Sequence, residues 1–160
     1  MNLKPDARAC HNRRMRLRLA ALSTLTIALV VPTLGCSRGD DPRADLALAD
    51  ALPRLTLSEV DALLEEARSG GRPVSVFDAN ERELYDSGHL PGAKWVPWNG
   101  LTAKDLPADK AQKLVFYCTN EQCTASHESA VTAKKLGHDN VYIMPAGIVG
   151  WRAENRPIEK

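Results

Sequence analysis

The run Leu114-Val115-Phe116-Tyr117 is apolar throughout, contains no breaker, and stops at Cys118. A short continuous run of this kind reads as a buried strand. From Thr124 to Leu136 the pattern changes to alanine-rich helical spacing, with Ala130, Ala133 and Leu136 on one face and Gly137 as a C-terminal stop. Between the two lies the loop Thr119-Asn120-Glu121-Gln122-Cys123. The chain must therefore accommodate a strand, a tight loop carrying a thiol, and a helix in immediate succession.

The rest of residues 55–158 repeats that alternation. Ser58 is a suitable N-cap with Asp61 three residues on, and Val60, Leu63, Leu64 and Ala67 keep helical spacing up to Gly70-Gly71. Strand signals follow at Val74–Ala79, Ala93–Trp98, Lys113–Tyr117 and Asn140–Met144. Short helices are expected over Glu81–Ser87 and Val149–Glu154. Strands alternating with helices predict an α/β fold with right-handed crossovers and a mainly parallel central sheet of about five strands, covered by helices on both faces. In such sheets ligands bind beyond the carboxyl ends of the strands, where Asp78 and Cys118 fall.

The amino-terminal third reads differently. Arg13, Arg14, Arg16 and Arg18 precede an uncharged stretch from Leu19 to Val31, followed by Pro32-Thr33-Leu34-Gly35-Cys36. A basic region, an apolar region and a small-residue cleavage site describe an export signal. The apolar stretch is well short of the roughly 20 residues a spanning helix needs. Leu34-Gly35-Cys36 resembles the lipobox of bacterial lipoproteins, with Thr33 where that pattern prefers Leu. The resemblance implies a signal peptide over 1–35, lipidation of Cys36, and placement in the cell envelope on the periplasmic face of a bacterial membrane. Ser37 favours the outer one. Met15 would also start a signal of ordinary length. Residues 36–54, rich in Asp, Ala, Arg and Leu, with Pro42 and Pro53, read as a membrane tether with room for a short helix over 43–52.

Charge narrows the partners. Residues 1–35 hold six of the 21 basic and one of the 20 acidic residues, which leaves 15 basic against 19 acidic from Cys36 onward. A mildly acidic domain without basic runs argues against nucleic acid. Membrane contact is expected through the lipid alone. An exported chain sits where disulfides persist, so Cys118 and Cys123 are able to pair, although the loop between them is short for good disulfide geometry.

A thiol between a strand end and a helix start lies where unpaired amides and the helix dipole favour an anion, and the thiolate is the reactive form of cysteine. The landmarks resemble the rhodanese superfamily. Val76-Phe77-Asp78-Ala79-Asn80 through Gly88-His89-Leu90-Pro91-Gly92-Ala93 resembles its first motif. Val115-Phe116-Tyr117-Cys118 resembles its active-site strand. Leu136-Gly137-His138-Asp139-Asn140-Val141-Tyr142 with Pro145-Ala146-Gly147-Ile148-Val149-Gly150-Trp151 resembles its closing segment. The resemblance implies a three-layer rhodanese-like domain that acts as a sulfurtransferase without cofactor or metal. Cys118 would take sulfur from a small donor such as thiosulfate as a persulfide and pass it to a thiol or cyanide. The loop Thr119, Asn120, Glu121, Gln122, Cys123 and Thr124 would cradle the anion with its amides, and Asp78 would order the loop.

The loop departs from the pattern common in active members, C-x-x-G-x-R. Glu121 and Cys123 stand at the Gly and Arg positions, and Asn80 stands where many members place Arg. A carboxylate near Cys118 disfavours a second negative charge. Other readings remain open. Cys123 can resolve an oxidised or persulfidated Cys118 as a disulfide, giving a thiol–disulfide protein, or simply pack in the core. Cys118, Cys123 and His127 could supply soft metal ligands, although the sequence offers no obvious fourth. The domain could also be a non-catalytic binding module. His89 reads as a turn residue, and Trp98 as a packing residue able to wall a pocket.

Overall fold

A computed structural model describes residues 41–160. The expected export signal and Cys36, the expected lipidation site, lie outside the described residues. In chain order the elements are α1 (Pro42–Asp50), α2 (Leu57–Arg68), β1 (Val74–Asp78), α3 (Arg82–Ser87), β2 (Lys94–Trp95), β3 (Lys113–Tyr117), α4 (Ala125–Lys135), β4 (Val141–Ile143) and α5 (Gly147–Ala153).

The sheet has four strands in the order β2-β1-β3-β4, all parallel. This is one fewer than the sequence suggested. Beyond β4 the sheet is extended only by a single parallel bridge, Arg54 to Ile143, which the sequence did not signal, flanked by Leu55 N–H to Ile143 O (2.8 Å) and Ile143 N–H to Pro53 O (3.0 Å). It stops there because Pro53 has no N–H and Thr56 already caps α2. Strand β2 is also shorter than the expected Ala93–Trp98, since Pro97 cannot donate to a ladder.

Alternate residues of β3 face opposite layers, which explains why its sequence shows no polar face. Leu114 and Phe116 join Phe77, Ala130, Ala133, Val141 and Ile143 on one side. Val115 and Tyr117 join Val60, Val76, Ile148 and Trp151 on the other. Phe77 and Phe116 stack across the β1–β3 pair with ring centroids 5.0 Å apart. The crossover from β2 to β3 contains no helix; irregular chain is held to the core by Leu101 and Leu106.

Two expectations change at the amino-terminal edge. Helix α2 is capped by Thr56, not Ser58. Thr56 Oγ1 accepts from Glu59 N–H (3.3 Å) while Glu59 Oε2 accepts from Thr56 N–H (2.8 Å), a reciprocal box that Ser58 and Asp61 do not form. Within the expected tether, residues 41–54 are part of the folded unit. Asp41 caps α1, Leu48 and Ala49 pack against the core, Leu52 is 4% exposed, and Lys135 of α4 pairs with Asp45 at 2.7 Å. Burial of these apolar side chains outweighs the mobility that the composition suggested.

Candidate functional site

From β1 the chain passes to β2 on one side, and from β3 to β4 on the other, so the order reverses between the adjacent strands β1 and β3. Asp78 and Tyr117 are register partners at the carboxyl ends of this pair. Cys118 follows directly, at the crevice where open α/β sheets bind ligands.

Cys118 is 1% exposed. Its sulfur is 3.4 Å from the Ser126 hydroxyl and 3.4 Å from the Cys123 carbonyl oxygen. Cys118 and Cys123 are joined as a disulfide, with their Cα atoms 6.3 Å apart. The short loop closes because Asn120 folds it back: its backbone carbonyl accepts from Cys123 N–H (3.1 Å) and its Oδ1 from Gln122 N–H (3.1 Å). This modifies the expected cradle. The amides of Gln122 and Cys123 are engaged within the loop by Asn120. Glu121, Gln122 and Thr124 are exposed, and Thr124 Oγ1 donates to Glu128 Oε1 (3.0 Å).

Two neighbours hold the start of the loop. On one side, Ile148 N–H donates to Cys118 O (2.9 Å) and Val149 N–H to Thr119 O (3.1 Å). Gly147 permits that approach: its φ is +58°, and a Cβ there would collide with the carbonyls of Cys118 and Thr119. On the other side, Thr119 Oγ1 donates to Asn80 Oδ1 (2.7 Å), and Asn80 N–H donates to Asp78 Oδ1 (2.8 Å). Asp78 thus supports the loop at one remove, through Asn80. Its carboxyl is raised above the ordinary range by burial, with Tyr117 and Asn80 pulling the other way. Burial and the Asp78 charge push the Tyr117 phenol far up, and Tyr117 OH accepts from Leu90 N–H (3.1 Å). His89 is stacked on Tyr85, with ring centroids 3.9 Å apart.

A cleft of about 870 Å³ opens beside the loop. Leu46, Ala49, Trp98 and Val131 provide apolar wall, while Asp50, Glu121 and Glu128 bring carboxylates; Cys123 and His127 also line it, and Cys118 does not. The pKa of His127 is lowered from its ordinary value, first by burial and then by the Arg54 charge, which favours the neutral imidazole. Among the described residues, no cluster of three or more His, Cys, Asp or Glu side chains is arranged to hold a metal.

Sequence reasoning placed Cys118 and its loop at the strand end and named Trp98 as a possible pocket wall. It missed Ser126 and the Asn80–Thr119 link. Ser126 and Ser129 sit among alanines on a face that proves buried, and polar side chains on such a face were the available signal.

A parallel α/β sheet bearing a cysteine loop at its reversal point, closed by a helix, defines the class. The chain belongs to the rhodanese-like domain family, whose model matches residues 56–154. An HTH-type transcriptional regulator of Mycobacterium tuberculosis is 27% identical over 76% of the chain, which spans only 54% of that relative's length. The Bacillus subtilis protein YqhL is 28% identical over 54% of the chain and 68% of its own length. A Bacillus halodurans structure superposes with a TM-score of 0.60 at 21% identity, covering 74% of this chain and 86% of that one. The human single-domain sulfurtransferase TSTD1 gives a TM-score of 0.52 at 21% identity, over 64% of this chain and 96% of its own. At these identities the two superpositions speak to the fold alone.

Proposed function

We propose that this protein handles sulfane sulfur, with Cys118 as the accepting nucleophile. The observation that carries the reading is the position of Cys118, at the carboxyl end of β3 beside the sheet's reversal point, with the Ser126 hydroxyl 3.4 Å from its sulfur. In the reduced protein the Cys118 thiolate attacks the sulfane sulfur of a thiosulfonate or thiosulfate. A new S–S bond forms on Cys118, and the donor's own S–S bond breaks, its electron pair leaving with sulfinate or sulfite. A thiol or cyanide then collects the sulfur. Glu121, three residues beyond Cys118 in the same loop, makes a dianionic donor a poor match, so donors of lower charge are favoured.

A thiol–disulfide role without sulfur loading is the second reading, favoured by the Cys118–Cys123 pairing. We also propose export as an envelope lipoprotein through residues 1–35 and Cys36; incorporation of labelled palmitate that is lost in Cys36→Ala tests it. For the chemistry, the intact reduced protein should form thiocyanate from benzenethiosulfonate and cyanide, and Cys118→Ser should not. Undiminished turnover in that variant removes Cys118 from the role.

A further inference from the structure

The Cys118 sulfur, which loading would turn into the inner sulfur of a persulfide, is bonded to Cys123 in the structure. We propose that Cys123 discharges this persulfide as sulfide, so that the domain reduces sulfane sulfur at the expense of a dithiol. The inference rests on Cys118 being the sulfur-accepting nucleophile. The Cys123 thiolate attacks the Cys118 sulfur and forms the Cys118–Cys123 bond. The bond between Cys118 and the outer sulfur breaks, and that sulfur leaves with the electron pair as hydrosulfide. The sulfane sulfur is reduced and the two cysteines are oxidised, so no other reactant enters this step.

Three observations favour this route. The two cysteines are already paired. The loop is folded by Asn120 in a way that returns Cys123 to Cys118, through bonds to the backbone of Gln122 and Cys123 themselves. A residue that merely packed in the core would require neither feature.

The third observation concerns the return to the dithiol. In the disulfide form Cys123 lines the cleft, whereas Cys118 lies outside it and is 1% exposed. An incoming thiolate therefore attacks the Cys123 sulfur, and the electron pair of the broken disulfide goes to Cys118, which leaves as thiolate next to the Ser126 hydroxyl. The second thiol of the reductant then closes its own disulfide and frees Cys123. The carboxylates of Asp50, Glu121 and Glu128 favour a neutral or cationic dithiol over an anionic one.

The test uses the full-length reduced protein, freed of reductant, with one equivalent of benzenethiosulfonate, followed by intact mass, sulfide assay and peptide mapping. The wild type should release sulfide in step with benzenesulfinate and end with Cys118 cross-linked to Cys123. Cys123→Ser and Cys123→Ala should keep the added sulfur on Cys118 and release sulfide only after dithiothreitol is added. A wild type that keeps its added sulfur and yields no sulfide overturns this inference and leaves the loading step standing. If neither Cys123 variant gains a sulfur, the loading step itself fails, and the inference falls with it.

Discussion

The Thr119 hydroxyl donates a 2.7 Å hydrogen bond to the Asn80 side-chain carbonyl, tying the cysteine loop after β3 to the turn after β1. Asn80 is itself held by Asp78 through its N–H and by Trp95 Nε1 through its carbonyl (2.9 Å). Asn80, where the resemblance led one to expect a cation, serves here as a strut.

Thr119→Val keeps the shape of the side chain but leaves the Asn80 carbonyl buried without its donor. Such a loss costs about 1–3 kcal/mol. Urea unfolding should show a lower midpoint at unchanged slope, with slower sulfur loading. An unchanged midpoint would mean that the strut contributes nothing.

Gly147→Ala should damage the site more than its distance in sequence suggests. Its φ of +58° is left-handed, which costs a residue with a Cβ roughly 1–2 kcal/mol. The new methyl would also press on the carbonyls of Cys118 and Thr119. Thermal unfolding and loading kinetics should both worsen; a variant impaired in neither would show that the α5 contact does not shape the loop.

Asp78 makes stability depend on pH in a definite direction. Its folded carboxyl titrates above the ordinary value because of burial. Between the two values the native state binds more protons than the unfolded one, so this group's contribution to stability declines as pH rises through that window. Comparing Asp78→Asn with the wild type isolates the effect: the variant's profile should be flatter there. Parallel profiles would contradict the assignment.

Leu52→Ala tests whether the segment 41–54 belongs to the domain. Leu52 is 4% exposed within the core cluster, and truncating a buried leucine costs about 2–5 kcal/mol. A free tether would lose nothing measurable, so a calorimetric comparison separates the two readings.

The parts that were legible share one property: their signals are local. The apolar run of β3, the loop after it and the spacing of α4 occupy one continuous segment, and the observed helix, Ala125–Lys135, departs from the expected one by a residue at each end. The start of α2 was less legible because both Thr56 and Ser58 have the composition of a cap. Only Thr56 has a Glu at the third helical position to answer it. The α1 packing was not legible, since Leu48 and Ala49 pack against a core built from segments far away along the chain.

By itself the sequence determined the order of strands and helices and the placement of a thiol after the central strand, because hydrophobic period and turn chemistry act over a few neighbouring residues. Tertiary structure decided the rest. It selected Asn80 as the partner of Thr119, brought Gly147 against the Cys118 carbonyl, and turned Cys123 rather than Cys118 toward the cleft. Those choices follow from which distant segments the sheet order makes adjacent, and a local pattern of residues carries no record of that adjacency.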